Sequence, residues 1–261
     1  MHHYTKTLLL GLPLALLVAC SNDNPSPAPA ETKLKVKSVE TTGSSWATRE
    51  DYTYNDKDQL TAINWKRETP YETVGAEEYF YNGDQLSHIV KKISGLADED
   101  VQFTYDQNQI IATSSFVNGK KIAYQFYEYD GEGRLVLVEF YTYNSTANGY
   151  DRNGEHRYSY YPDGNVREIQ KFDFSPESAE LIWNSTQAFN TYLEVNNPLQ
   201  LDSKLPGIII QRKLSSGYEM RYPTGTYPYT FSYDFRPDGY PSIRRTTYND
   251  GSEEVSVYTY E

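Results

Sequence analysis

A net charge of −12, from 36 acidic against 24 basic side chains in 261 residues, argues against nucleic acid or an anionic lipid surface as a partner, because both repel a polyanion. One Cys and four His are too few for a zinc cluster or a disulfide framework. Tyrosine is the abundant type, with 26 copies in a chain that is only 38% hydrophobic.

Residues 1–19 read as a secretory signal, with Lys6 ahead of an apolar run from Leu8 to Ala19 that is too short to cross a bilayer. Its end, Leu17-Val18-Ala19-Cys20, resembles the bacterial lipoprotein signal, which implies a diacylglyceryl group on the Cys thiol, cleavage before it and acylation of the new amine. Cys20 is the sole Cys and is the predicted lipid attachment point; several buried acyl chains, at about 0.8 kcal/mol per methylene, anchor a protein without a spanning helix. Residues 20–32 carry Pro25, Pro27 and Pro29 among small polar residues and form a predicted tether with no capacity for a core. Ser21 stands where an Asp often marks inner-membrane retention, and Asp23 faintly resembles an acidic surface-export signal, so the outer membrane is expected, on its periplasmic or cell-surface face.

Residues 33–261 form one predicted repetitive all-β domain, because a single phrase recurs: aromatic, any residue, Tyr, then Asn or Asp, a turn, and Leu or Val with Ile or Val soon after. It reads Tyr52-Thr53-Tyr54-Asn55 with Leu60 and Ile63, and Tyr79-Phe80-Tyr81-Asn82 with Leu86 and Ile89. Phe103-Thr104-Tyr105-Asp106, Tyr127-Glu128-Tyr129-Asp130, Tyr158-Ser159-Tyr160 and Phe231-Ser232-Tyr233-Asp234 continue it, and Tyr258-Thr259-Tyr260 is a closing half copy. Residues two apart on a strand share a face, so the paired aromatics form one stripe. Asn82-Gly83, Asp130-Gly131, Asp163-Gly164, Asp238-Gly239 and Asp250-Gly251 suit turns that need positive φ. The Leu-to-Ile spacing of Leu60 and Ile63 breaks strict alternation and predicts a bulge or a strand-start twist just after the turn.

The long interval from Tyr160 to Tyr233 has room for degenerate copies. Thr191-Tyr192-Leu193-Glu194 followed by Asn197-Pro198-Leu199 has the aromatic strand and the breaker, and Gly207-Ile208-Ile209-Ile210 suits a short buried strand. A helix from Thr186 to Val195 competes, since Phe189, Tyr192 and Leu193 share a helical face.

The lipoprotein signal, the Pro-rich tether, the tyrosine repeats, Asn197-Pro198-Leu199 and Asp238-Gly239-Tyr240-Pro241 together resemble a family of uncharacterised Bacteroidetes outer-membrane lipoproteins, a domain of unknown function that is porin-like in fold. The repeats are also similar to the Tyr-Asp repeats of large shell-forming secreted proteins. The resemblance implies an antiparallel meander of hairpins curled into a sheet or an open or closed barrel, and it implies no catalytic residues. A true porin needs apolar residues on every second position, yet Asn64 and Lys66 share one face while Arg67 follows Trp65, other strands carry Lys91-Lys92 and Arg244-Arg245, and the chain ends in Glu261 instead of an aromatic. A water-facing curled antiparallel sheet or barrel is therefore expected.

Candidate chemistry is sparse. His88 and His156 lie in different repeats, each expected as a cross-strand or solvated side chain, and neither sits with a nucleophile. Asp98-Glu99-Asp100, Glu253-Glu254 and Asp151 are expected as solvated turn acids. Asp56 and Asp58 near Asn55, and Asp151, Asn153 and Glu155 around Gly154, match no complete calcium loop and are expected as turns, so neither a metal nor a cofactor is expected. Trp46, Trp65 and Trp183 would bind sugar only if clustered. These features point to a cell-envelope binding or scaffold module that offers a Tyr-rich β-surface to glycan, peptide or protein; the alternative is a hydrolase with paired carboxylates about 5–9.5 Å apart.

Overall fold

The computed structural model describes residues 34–197 and 208–261, so the signal, Cys20, the tether, Pro198-Leu199 and Gly207 lie outside the described residues. The first twelve strands are β1 (Val36–Thr42), β2 (Ala47–Tyr54), β3 (Leu60–Glu68), β4 (Glu72–Asn82), β5 (Gln85–Ile93), β6 (Glu99–Asp106), β7 (Gln109–Val117), β8 (Lys120–Tyr129), β9 (Leu135–Asn144), β10 (Gly149–Tyr160), β11 (Val166–Ser175) and β12 (Glu180–Ala188). The remaining six are β13 (Tyr192–Asn196), β14 (Lys213–Ser215), β15 (Gly217–Tyr222), β16 (Gly225–Phe235), β17 (Pro241–Thr247) and β18 (Glu253–Tyr260). Sixteen strands form a closed antiparallel barrel in meander order, β1 through β12 and then β15 through β18, with β13 and β14 paired apart. Closure joins β18 to β1 from Thr42↔Val255 to Val36↔Tyr260, and reciprocal backbone bonds between Lys35 and Glu261 finish the seam. A closed barrel leaves no unpaired edge to template aggregation.

Each phrase of the sequence is the end of one strand and the start of the next. The predicted bulge is present in every full copy: Thr53↔Ala62 is followed by Tyr54↔Leu60, which leaves Thr61 as the extra residue, and the same shift occurs at Tyr81, Tyr105, Tyr129, Tyr160 and Phe235. One extra residue restores both Leu60 and Ile63 to the same face. The hydroxyls of Thr61, Ser87 and Ser242, each the extra residue of its repeat, donate to the opposing carbonyls of Thr53, Phe80 and Asp234. In the turns, the side-chain oxygens of Asn55 and Asp130 each accept two backbone N–H groups, which explains why Asn or Asp comes directly after the aromatic pair. At Asp130-Gly131 the left-handed residue is Gly133, at φ +77°, and not the expected Gly131.

The second aromatic of each phrase has a specific task. The hydroxyls of Tyr54, Tyr81, Tyr105, Tyr129, Tyr160, Tyr233 and Tyr260 donate to the carbonyls of Val36, Leu60, Leu86, Ile110, Leu135, Ser215 and Pro241, at 2.6–3.0 Å. Ladders between consecutive hairpins stop short of this end; β3 and β4, for example, part beyond Ala62↔Glu78. The strand-initial carbonyl is thus left without a ladder donor, and the tyrosine of the next repeat supplies one. Tyr192 makes the same bond to Val166, at 2.6 Å, which identifies Thr191-Tyr192-Leu193 as the copy hidden in the long interval.

That copy leaves the wall. β12 and β15 pair only from Thr186↔Arg221 to Ala188↔Glu219, after which the chain kinks at residues 189–191 and at Ser216, and β13 pairs with β14 instead. No helix forms over 186–195; the kink, not a helical turn, brings Phe189 and Tyr192 into one cluster. Ile208–Ile210 is likewise not a strand: Ile208 is buried, Ile209 is exposed and the hydrogen-bonded strand is β14. Asn165, fully buried in the β10–β11 turn, fixes this insertion by accepting the backbone N–H groups of Arg212 and Lys213, both at 2.8 Å.

The core lies at the phrase end of the barrel. Tyr52, Leu60, Ile63, Tyr79, Leu86, Ile89 and Val101 pack together, and Ile110, Tyr127, Leu135 and Val138 pack against Ile208 of the insertion. In a closed barrel this buried face is the lumen, so the phrase end is floored with hydrocarbon. The opposite, outward face is charged. Arg49–Asp51, Lys92–Glu78, Arg221–Glu168 and Arg245–Asp234 are outward ion pairs at 2.7–3.3 Å, and Glu155 is buried between Arg152 and Arg157 where a turn was expected. Exposed pairs add little stability, and charges of this kind would be costly on a lipid-facing wall.

Candidate functional site

The lumen above the floor is where chemistry gathers. Along β15 and β16 inward positions alternate with outward ones, and the inward set is aromatic: Tyr218↔Tyr229 is a cross-strand pair with ring centroids 4.6 Å apart and nearly stacked. Tyr248 meets Tyr229 edge-on at 5.3 Å, Tyr222 meets Tyr227 at 5.9 Å, and Phe231 meets Tyr218 at 5.6 Å. Tyr222 and Tyr227 keep 37% and 38% of their surface exposed, so the wall grades from a covered base to wet rings. Burial pushes the Tyr218 phenol up to about 12, which keeps it a neutral donor.

One acid and one base sit in this aromatic wall. Glu254 accepts the Tyr248 hydroxyl at 2.6 Å, and the Arg244 guanidinium lies 3.8 Å from Glu254 and 5.1 Å from the Phe231 ring centre. Glu254 is therefore an inward strand residue and not the expected solvated turn acid; Asp151 is solvated but also lies on a strand, β10, where it accepts from Asn144. A cavity of about 220 Å³ adjoins the wall, bounded by Tyr218, Phe231, Arg244 and Gln187 on the barrel side and by Ile210 and Gln211 of the insertion. Across that segment a second cavity, about 340 Å³, lies against β8–β11.

The two histidines are held apart. His88 faces outward on β5, stacked on Phe80 at 4.4 Å and hydrogen-bonded to Ser87. His156 faces inward on β10 opposite Lys171, against Phe140. Burial pushes its pKa down to about 4, Lys171 adds to the effect and Asp173 opposes it. An unfolded chain takes up this proton below about 6.5, the folded barrel only near 4, so the site is silent above pH 6.5 and destabilising as pH falls through that window. After discounting for its partial exposure, His156→Phe is expected to recover about 1–2 kcal/mol at pH 4 and nothing at pH 7.5, measured by urea unfolding at both pH values.

The remaining candidates do not converge. Trp46 covers Gly43 at the β1–β2 turn, Trp65 faces inward and covers Gly75, and Trp183 faces outward with its indole N–H on Thr186, so the three make no sugar platform together. The inward acids Glu50 and Glu77, on either side of β3, each accept a tyrosine hydroxyl, from Tyr52 and Tyr79. Among the described residues no three His, Cys, Asp or Glu side chains converge on a metal-sized site. On the outer wall, Tyr124, Phe126, Tyr141, Tyr143 and Tyr150 form a second aromatic group, with Lys121 over two of the rings.

The same architecture has been solved before. The barrel is porin-like in fold. It superposes on a porin-like protein from Bacteroides vulgatus ATCC 8482 with a TM-score of 0.60 at 14% identity, covering 87% of this chain and 99% of that one. A porin-like protein from Bacteroides uniformis ATCC 8492 gives 0.58 at 12% identity, over 87% and 96%. No protein-family model matches the chain, and no curated protein does. The tyrosines are legible in the sequence; the lumenal Arg244–Glu254 pair is not. Its signal was the parity change at the Ser242 bulge, which turns Arg244 inward and leaves Arg245 outward.

Proposed function

We propose that this chain is a cell-envelope lipoprotein, anchored in the outer membrane through a lipid on Cys20, whose barrel binds a glycan in the tyrosine-walled part of its lumen. The observation that carries the reading is the inward stack of Tyr218, Tyr229 and Tyr248 beside the Arg244–Glu254 pair. Ring faces stack on the C–H faces of sugars, while phenol, carboxylate and guanidinium groups at fixed positions orient hydroxyls. The pair is internally compensated, which favours a neutral oligosaccharide over an acidic one. The charged outer wall and the predicted tether support a water-facing body held near the membrane.

A glycan array followed by calorimetry on the best oligosaccharide tests this reading. Tyr229→Ala, which removes the central ring, is expected to weaken binding at least tenfold, and Tyr141→Ala on the outer wall to leave it unchanged. Equal loss from both, or no binding to any neutral oligosaccharide, would sink the glycan assignment. Radiolabelled palmitate incorporated by the full-length chain and lost in Cys20→Ala tests the anchor separately.

A further inference from the structure

The second lumenal cavity has a different chemistry from the tyrosine wall. Its floor is hydrocarbon: Leu135, Val138 and Ile208 are each at most 6% exposed, and Ile210 closes the side toward the first cavity. Its upper part holds a single cation. Lys171 faces inward on β11 between His156 and Ser185, and among the described residues it makes no ion pair. Asp173, the next inward residue on that strand, accepts instead from Asn184 at 2.6 Å. Two amides complete the rim: Gln187, and Gln125, whose carbonyl accepts the Tyr127 hydroxyl at 2.8 Å and whose NH₂ group remains a donor. With His156 neutral at physiological pH, Lys171 carries the charge among the described residues that line this cavity. The volume, about 340 Å³, is that of a small-molecule site.

We infer that this cavity binds a carboxylate-headed alkyl amphiphile, a medium-chain fatty acid, with its chain on Val138, Ile208 and Ile210 and its carboxylate on Lys171. A sugar would leave its hydroxyls unpaired against Leu135 and Val138, and an inorganic anion would leave the floor uncovered. Only a ligand with an anionic end and an apolar body satisfies both halves. The two lumenal cavities, separated by the Ile208–Gln211 segment, then take different ligand classes, and this inference stands whether or not the tyrosine wall binds glycan.

The test uses the full chain without its signal, titrated with dodecanoate by calorimetry, with methyl NMR to locate the ligand. Dodecanoate is expected to bind and to shift the methyls of Val138, Ile208 and Ile210. Lys171→Gln should weaken dodecanoate at least tenfold, Lys171→Arg should retain most of the affinity, and dodecanol should bind weakly and equally to all three proteins. Tyr229→Ala should leave dodecanoate binding intact, which separates this site from the glycan reading. Absence of dodecanoate binding, an unchanged affinity in a folded Lys171→Gln protein, or shifts confined to the outer aromatic group would each overturn the inference.

Discussion

Ile63→Ala and Ile89→Ala are each expected to lower the unfolding free energy by about 2–5 kcal/mol, because both side chains are at most 2% exposed and sit in the same cluster on the lumenal floor. For a domain of this size that is a fall of about 2–4 °C in Tm per kcal/mol. The contrast that gives the experiment its force is on the outer face of the barrel. Val257 and Val74 point outward, 43% and 41% exposed, and their replacement by Ala should stay within about 0.5 kcal/mol. A porin inverts this ranking, since its stabilising apolar surface faces lipid. Equal losses on both faces in detergent-free buffer would show that the hydrocarbon floor is not what holds the barrel together.

The rank order of these substitutions is legible in the sequence. Tyr52 and Tyr54 share a face by the two-residue period, and the three-residue step from Leu60 to Ile63 signals a break in the strand that a bulge or a twist at its start could supply; the register shift at Tyr54 makes it a bulge. Closure is not. The seam pairs Val36 with Tyr260, residues at opposite ends of the chain with no local signature of their partnership, and an open curled sheet would satisfy the same local rules. The lumenal site was hidden for a related reason. The Ser242 bulge reverses the parity of β17 beyond it, so Arg244 faces inward, and the regular pairing Thr246↔Glu254 brings Glu254 to the same face, although the run Arg244-Arg245 and the pair Glu253-Glu254 read as surface charge. In the long interval the aromatic strand at Tyr192 was legible, but the apolar run Ile208–Ile210 is a loop whose Ile210 carbonyl accepts from Val166, and an apolar run alone does not tell a buried loop from a buried strand.

The repeated tyrosine also explains how the barrel holds together at its phrase end. Every hairpin is joined to its predecessor by a ladder that fades toward the phrase end, and the phenol bridges the gap from its own strand to the carbonyl beyond the last ladder bond. Each ring does two things at once: its carbon body covers the floor and its hydroxyl supplies a missing donor. Lys35, Arg134 and Arg236 lie over the rings of Tyr54, Tyr160 and Tyr260, which shields three of these phenols with a cation.

Replacing Tyr81, Tyr105 and Tyr129 together by Phe is accordingly expected to cost about 3 kcal/mol, roughly 1 kcal/mol for each carbonyl left without its donor, while packing volume is kept. Tyr124→Phe with Tyr141→Phe on the outer wall is the matched control and should cost little. The alkaline limb of the stability profile separates the hydroxyl from the ring. Burial pushes Tyr81 and Tyr129 up to about 12, above the value of about 10 that they take in an unfolded chain. Their contribution is complete below pH 10 and is lost as pH rises from 10 toward 12, because the unfolded chain can release protons that the barrel retains. Wild-type protein should therefore unfold progressively in that window, and the triple Phe variant, though weaker at pH 8, should show a flatter decline. Urea unfolding at pH 8 and at pH 11 reads both effects. A variant that is as stable as wild type at pH 8, or that loses stability as steeply at pH 11, would mean that the phenols only fill space and that the carbonyls of Leu60, Leu86 and Ile110 are satisfied by other groups.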